Sequence, residues 1–183
     1  MKNSKSLYVL LLSFLFACGK DEGYQLPIYS PGPQDTGWGK ATRDDQAWNA
    51  TAFARRHQDG SGFIGLDFNT YNEFEEIREV LAFNEVPFKI GKYPISGKID
   101  DYNDNLVGAK FAVRESDGDV IGVLYNSDRS VKGLMNITFV DSTNNIVGGS
   151  FDIVKFDRLV PENAPYPERV EFRNGTFRMK IID

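Results

Sequence analysis

Residues 106–115, LVGAKFAVRE, decide the fold. Val107, Ala109, Phe111 and Val113 alternate with Gly108, Lys110, Ala112 and Arg114. Successive side chains of a strand point to opposite faces, whereas the apolar positions of a helix recur every three or four residues. The stretch therefore reads as a half-buried β-strand. The same period extends outward on both sides. In Ala47 to Arg56, Trp48, Ala50, Ala52 and Ala54 share a face, and in Phe63 to Asn69, Ile64, Leu66 and Phe68 do. On the C-terminal side, Lys132 to Val140 and Ile146 to Phe156 alternate in the same way. Arg169 to Arg173 and Thr176 to Ile182 flank Asn174-Gly175, the dipeptide that best supplies the positive φ angles of a two-residue hairpin turn. Gly175 is expected at such a position.

Clusters of Asp, Asn, Gly and Ser separate these runs: 43–45, 59–62, 100–105, 117–119, 127–130 and 141–145. Short strands at a spacing of about ten residues predict an all-β domain, an antiparallel β-sandwich or flattened barrel of about eight to ten strands. Residues 72–84 are ambiguous. Phe74, Ile77 and Leu81 fit a helix, while Ile77, Leu81 and Phe83 share one strand face; strand is the favoured reading.

With 183 residues, 41% hydrophobic and 26% charged, the chain suffices for one globular domain. Its 21 Lys and Arg against 26 Asp and Glu leave a net charge of −5, which speaks against nucleic acid as a partner. One Cys and one His exclude an internal disulfide and a Cys/His zinc site.

The first 17 residues, MKNSKSLYVLLLSFLFA, join Lys2 and Lys5 to the apolar run Leu7 to Ala17. Such a run rises about 16 Å as a helix, half of a bilayer's core, so it reads as a secretion signal and not as a span. Leu15-Phe16-Ala17-Cys18 resembles the lipobox of bacterial lipoproteins. The resemblance implies cleavage before Cys18, a thioether-linked diacylglyceryl group on its sulfur and a membrane anchor. Lys20-Asp21-Glu22 resembles the surface-export signal of Bacteroidota lipoproteins, which implies the outer membrane and the cell surface. The expected organisation is a signal peptide over 1–17, the acylated Cys and a Pro-containing tether over 18–37, and a single β domain over 38–183. Within the tether, Leu26, Ile28 and Tyr29 are candidates for docking as an edge segment. The acidic domain is expected to be repelled by anionic head groups and to stand off the membrane.

Further along, the order of signals resembles a family. A Trp-containing opening hairpin (Gly39-Lys40-Ala41, then Ala47-Trp48-Asn49-Ala50) precedes Gly91-Lys92-Tyr93, the run from Ile137-Thr138 to Gly149-Ser150-Phe151, and a closing Asn174-Gly175 with Phe177. This is similar to small β-rich outer-membrane lipoproteins of Bacteroidota whose function is unknown. The resemblance covers about residues 38–182 and implies an all-β fold and an envelope address, with no catalytic residues.

Several constellations mimic chemical sites. Gly60-Ser61-Gly62-Phe63-Ile64-Gly65 spells G-x-G-x-x-G, but polar His57-Gln58-Asp59 comes directly before it and an alternating strand follows where a dinucleotide site needs a helix, so it reads as a hairpin turn. Asp101-x-Asn103-x-Asn105 begins like a calcium loop, but Leu106 and Ala112 stand where Gly and Glu are required. Asp100, Asp101 and Asp104 remain a weak calcium loop at most. Glu75 with Glu79, or Asp117 with Asp119, are the candidate carboxylate pairs of a glycosidase. His57 has no evident nucleophile beside it. Trp48 is expected in the core. Tyr71, Tyr93, Tyr102, Tyr125 and Trp38 lie near turns or strand ends, where flat rings stack on sugars or partners; Trp38 and Tyr102 are the favoured exposed aromatics. Asp141-Ser142-Thr143 resembles the O-glycosylation site of exported Bacteroidota proteins, with Ser142 as acceptor.

These readings converge on a non-enzymatic, lipid-anchored binding or accessory module with no cofactor. Its partners are the membrane, through the anchor on Cys18, and an envelope protein or glycan. The alternatives are a β-sandwich glycan hydrolase using paired carboxylates and a barrel holding a small apolar ligand.

Overall fold

The computed structural model describes residues 24–96, 106–128, 130–161 and 164–182, and these form eleven strands and no helix. In chain order they are β1 (Ser30–Pro31), β2 (Gly37–Arg43), β3 (Gln46–Arg56), β4 (Phe63–Tyr71), β5 (Ile77–Pro87), β6 (Gly91–Ser96), β7 (Val107–Arg114), β8 (Ile121–Ser127), β9 (Gly133–Asp141), β10 (Ile146–Val160) and β11 (Arg169–Ile182). The all-β expectation holds, with one strand more than the upper end of the expected range.

The antiparallel pairings run β2–β3–β4–β5–β7–β8–β10–β11 and return to β2, so the sheet closes on itself. It is not a regular barrel, because the wall forks between β7 and β10. Phe156 to Val160 of β10 pair with β8, whereas Ile146 to Phe151 pair with β9. β9 pairs with β6, which lies parallel to the start of β7.

Closure turns the period of two into an inside and an outside. Trp48, Phe68, Phe83, Phe111, Phe156 and Phe172 are fully buried within the ring. Their rings stack edge to face: Trp48 on Phe172 at 5.0 Å and Phe111 on Phe172 at 5.1 Å between centroids. Each such side chain contributes about 1.5–3 kcal/mol by burial, and the aromatic contacts add to that. The Ala-rich face of β3 (Ala50, Ala52, Ala54) leaves the space these rings occupy. Residues 77–87 are strand, which settles the ambiguous segment. Asn72 Oδ1 accepts the N–H groups of Phe74 (3.0 Å) and Glu76 (2.9 Å), so the residues before it form a turn and no helix starts.

The hairpin read at Asn174-Gly175 is a misreading. β11 runs through the dipeptide, which makes a bulge between Arg173 and Thr176 against β2. Asn174 takes φ 53°, while Gly175 does not have positive φ. A bulge uses the same left-handed backbone as a tight turn, so the dipeptide reports the dihedral angle and not a chain reversal. Gly175 is required for another reason: a Cβ there would lie 2.1 Å from the ring of Phe151.

Gly175→Ala is therefore expected to cost roughly 1–3 kcal/mol, a fall of several degrees in Tm. Shortening the obstructing ring with Phe151→Leu in the same chain is expected to recover part of the loss by calorimetry. Strictly additive losses would overturn the steric account.

Candidate functional site

One end of the barrel collects the β2–β3, β4–β5, β7–β8 and β10–β11 connections, and the N-terminal segment crosses it as a strap. Leu26 is buried in the core, and Ser30–Pro31 pair with Thr70 and Tyr71 of β4. Tyr29 lies under the Arg78 guanidinium at 5.1 Å. Leu26 and Tyr29 thus dock, while Ile28 stays half-exposed.

Beneath the strap is a buried polar cluster. Arg43 is 1% exposed and Glu79 0%, both on the inner face of their strands. Arg43 Nη1 bonds Glu79 Oε1 in an ion pair, and Arg43 Nη2 donates to the carbonyls of Leu26 (2.8 Å) and Pro27 (2.9 Å). Glu79 Oε2 accepts from Trp48 Nε1 at 2.8 Å and from Thr70 Oγ1 at 2.9 Å. Burial pushes the Glu79 carboxyl above its usual range, against the pull of Arg43, Trp48 and Thr70. Both oxygens of this carboxylate are engaged and fully buried, so it locks structure and is closed to substrate.

The outer wall offers a different arrangement. Asp67, Asn69, Arg55, Lys110, Arg114 and Phe53 line a groove of about 280 Å³ across β3, β4, β5, β7 and β8. Asn69 and Ala112 form its buried floor, and the exposed Arg55 and Ile121 its lips. Asn69 is 5% exposed, and its Oδ1 has no hydrogen-bond partner. Thr51, directly opposite Asn69 on β3, is also buried, and its Oγ1 is likewise unpartnered. A buried acceptor left unmade costs about 1–3 kcal/mol. Burial also pushes the Asp67 carboxyl above the usual carboxylate range, despite the nearby charges of Arg55 and Lys110. A charge and an unpartnered acceptor kept in one concavity at the expense of stability are what a polar-ligand site looks like before it is filled. The shelf at Lys92, Asn136, Asp152 and Asn174 is larger, about 420 Å³. However, Asp152 Oδ1 there already accepts the N–H groups of Leu134 (2.7 Å) and Ile153 (2.6 Å).

The residues singled out from sequence are scattered. Trp38 is half-buried on the outer wall, opposite Thr51 and therefore two strands, about 10 Å, from Asn69. Lys40 Nζ stands 5.5 Å from the centre of its ring. Ser142 is exposed at the tip of the β9–β10 hairpin, where Asp141 Oδ1 accepts the N–H groups of Thr143 and Asn144 at 3.0 Å. Tyr125 corrects an expectation. It shares the inner face with Val123, is fully buried, and donates its hydroxyl to the Pro167 carbonyl at 2.9 Å. Trp48 is in the core as expected. Neither carboxylate pair converges on a pocket: Glu75 is an exposed turn residue at φ 62° while Glu79 is sealed inside, and Asp117 Oδ1 accepts the N–H groups of its own turn. His57 packs its ring 6.5 Å from Phe63 beside the β3–β4 turn, and a strand follows the G-x-G-x-x-G run. Cys18, Lys20, Asp21, Glu22, Asp100, Asp101, Tyr102 and Asp104 lie outside the described residues. Sequence reading missed Arg43, Asp67 and Asn69, and it took Glu79 only as half of a carboxylate pair and not as the buried partner of Arg43. The parity of Glu79 with Leu81 and Phe83 was the available signal for that burial.

Two measurements check these assignments. Glu79→Gln breaks a buried ion pair and is expected to destabilise the protein by about 3–5 kcal/mol in denaturant titration; a change under about 1 kcal/mol would remove the cluster from its locking role. For Asp67 the folded-state pKa is raised, so its contribution to stability is full below the ordinary carboxylate range and is lost as pH rises through the raised value. Asp67→Asn is thus expected to raise Tm at pH 7 and to lose that advantage near pH 3. An equal or larger gain at low pH would contradict the desolvated carboxyl.

In comparisons with protein families, curated proteins and solved structures, nothing matches the chain.

Proposed function

We propose that the protein is a non-enzymatic, lipid-anchored binding module on the outer face of a Bacteroidota outer membrane, and that its wall groove takes a glycan. The anchor and address rest on Leu15-Phe16-Ala17-Cys18 and Lys20-Asp21-Glu22, and the family resemblance is part of the same reading. The observation that carries the binding site is the unpartnered, buried Asn69 Oδ1 beside Asp67, Arg55 and Lys110. Sugar hydroxyls both donate and accept. They satisfy the amide and carboxylate acceptors and the guanidinium and ammonium donors together, while Phe53 offers an apolar face. Two further features favour binding over the alternatives. The ring interior is filled by aromatic side chains, where an apolar ligand would have to sit. The groove's lining holds one carboxylate, Asp67, where glycoside hydrolysis uses two.

The test is a glycan array probed with the acylated protein in detergent, followed by titration of the strongest binder. Arg55→Ala removes an exposed donor at the lip. It is expected to weaken binding about tenfold or more, the worth of one charged hydrogen bond, with Tm unchanged. Ser150→Ala on the shelf is expected to bind as the native chain does. Binding by Arg55→Ala equal to that of the native protein would exclude the groove.

A further inference from the structure

The exposed apolar side chains are unevenly distributed. Among the described residues, Phe74 (75% exposed) tops the β4–β5 connection, Val120 and Ile121 the β7–β8 turn, and Leu159 and Val160 the end of β10. Tyr24 and Ile28 belong to the strap. All of these lie at the strap end of the barrel; the opposite end contributes Ile90 and the side wall Leu134. The tips form a connected rim. Gly118 of the β7–β8 turn sits so close to the β4–β5 connection that a Cβ on it would be 3.1 Å from Glu76 Cβ. Gly122 faces the Tyr166 hydroxyl in the same way, and Tyr24 meets Tyr166 edge to face at 5.6 Å. Val160 is in register with Leu124 of β8.

From this distribution we infer that the strap end of the barrel rests on the lipid surface that holds the Cys18 anchor, with the apolar rim in the head-group region. The inference depends on the lipid-anchor reading. Only residues 19–23 separate Cys18 from Tyr24, a reach of about 20 Å at full extension. The strap is fixed across this end by the Arg43 bonds to the Leu26 and Pro27 carbonyls and by the Ser30–Pro31 pairing. The barrel therefore cannot turn its opposite end to the membrane without breaking those bonds. Held so close, the rim meets lipid at high effective concentration, and weak insertion by a few side chains suffices. The same rim carries Glu73, Glu75, Asp117 and Asp119, which oppose an anionic surface. The contact therefore rests on the apolar side chains and is weakened by anionic lipid, and it runs against the expectation that the acidic domain stands off the membrane. The Ser142 hairpin tip, at the opposite end, points away from the bilayer.

Labelling tests this directly. In separate full-length, acylated chains, Phe74→Cys, Val120→Cys, Leu159→Cys and, as a far-end control, Ile90→Cys carry an environment-sensitive fluorophore; the Cys18 sulfur is occupied by lipid. In phosphatidylcholine vesicles containing nitroxide-labelled lipid, the three rim probes are expected to shift to the blue and lose most of their emission. The Ile90→Cys probe is expected to respond only to aqueous iodide. Phosphatidylglycerol vesicles are expected to weaken the rim response. If the protein floats with vesicles but rim and far-end probes are quenched equally by iodide, the apposition is wrong while the anchor stands. Rim shielding that needs an added envelope protein has the same meaning. If the native chain does not float with vesicles, or floats no better than Cys18→Ser, the anchor reading fails and the apposition with it.

Discussion

The Arg43–Glu79 pair is the constraint on which the rest of the molecule depends. A charge pair in an aromatic interior is costly unless every remaining hydrogen-bonding position is used. Trp48, Thr70 and two carbonyls of the strap use nearly all of them; Arg43 Nε is left without a partner. The pair thereby ties five segments together: the strap, the end of β2, the start of β3 and the strands β4 and β5. A hydrophobic pair of the same volume would fill the space, but it could not hold a backbone segment across the barrel end by its carbonyls. Specific placement of the strap is what the buried charges provide.

That lock separates two jobs. Inside, the ion pair, Trp48 and Thr70 engage both oxygens of the Glu79 carboxylate. Outside, the wall keeps demands unmet in one groove, where Asp67 is desolvated and Asn69 lacks a donor. A filled interior with an unsatisfied exterior is the reverse of a ligand-carrying barrel. It favours recognition by the wall surface on a scaffold that does not need to open.

The architecture was legible wherever local chemistry determines it. The alternation of β3, β4, β7 and β9, the burial of Trp48 and the turns at 59–62 and 141–145 all follow from period and turn residues. The helical spacing of Phe74, Ile77 and Leu81 gave way to a strand because Asn72 ties down the preceding turn and leaves Phe74 outside. Asn174-Gly175 misled because a bulge and a hairpin ask the same φ of the backbone. Tyr125 misled because nearness to a turn was weighed above its parity with Val123. The groove was illegible: Asp67 and Lys110 come from strands far apart in sequence, and only the pairing of both strands with β5, at Ala82, brings them to one stretch of wall.

Closure also sets when the fold can exist. β11 is the last of the described strands, yet it pairs with β2, β10 and the end of β3, and it supplies Phe172, Phe177 and Met179 to the core. Until its final residues emerge, β2 and β10 present open edges and the aromatic interior lacks one wall, a state prone to pair with other chains. Strand formation can begin early, but the native topology is available only once β11 has emerged through Ile182. A chain delivered N-terminus first must therefore keep these edges open, or have them sheltered, until the last residues of β11 have arrived.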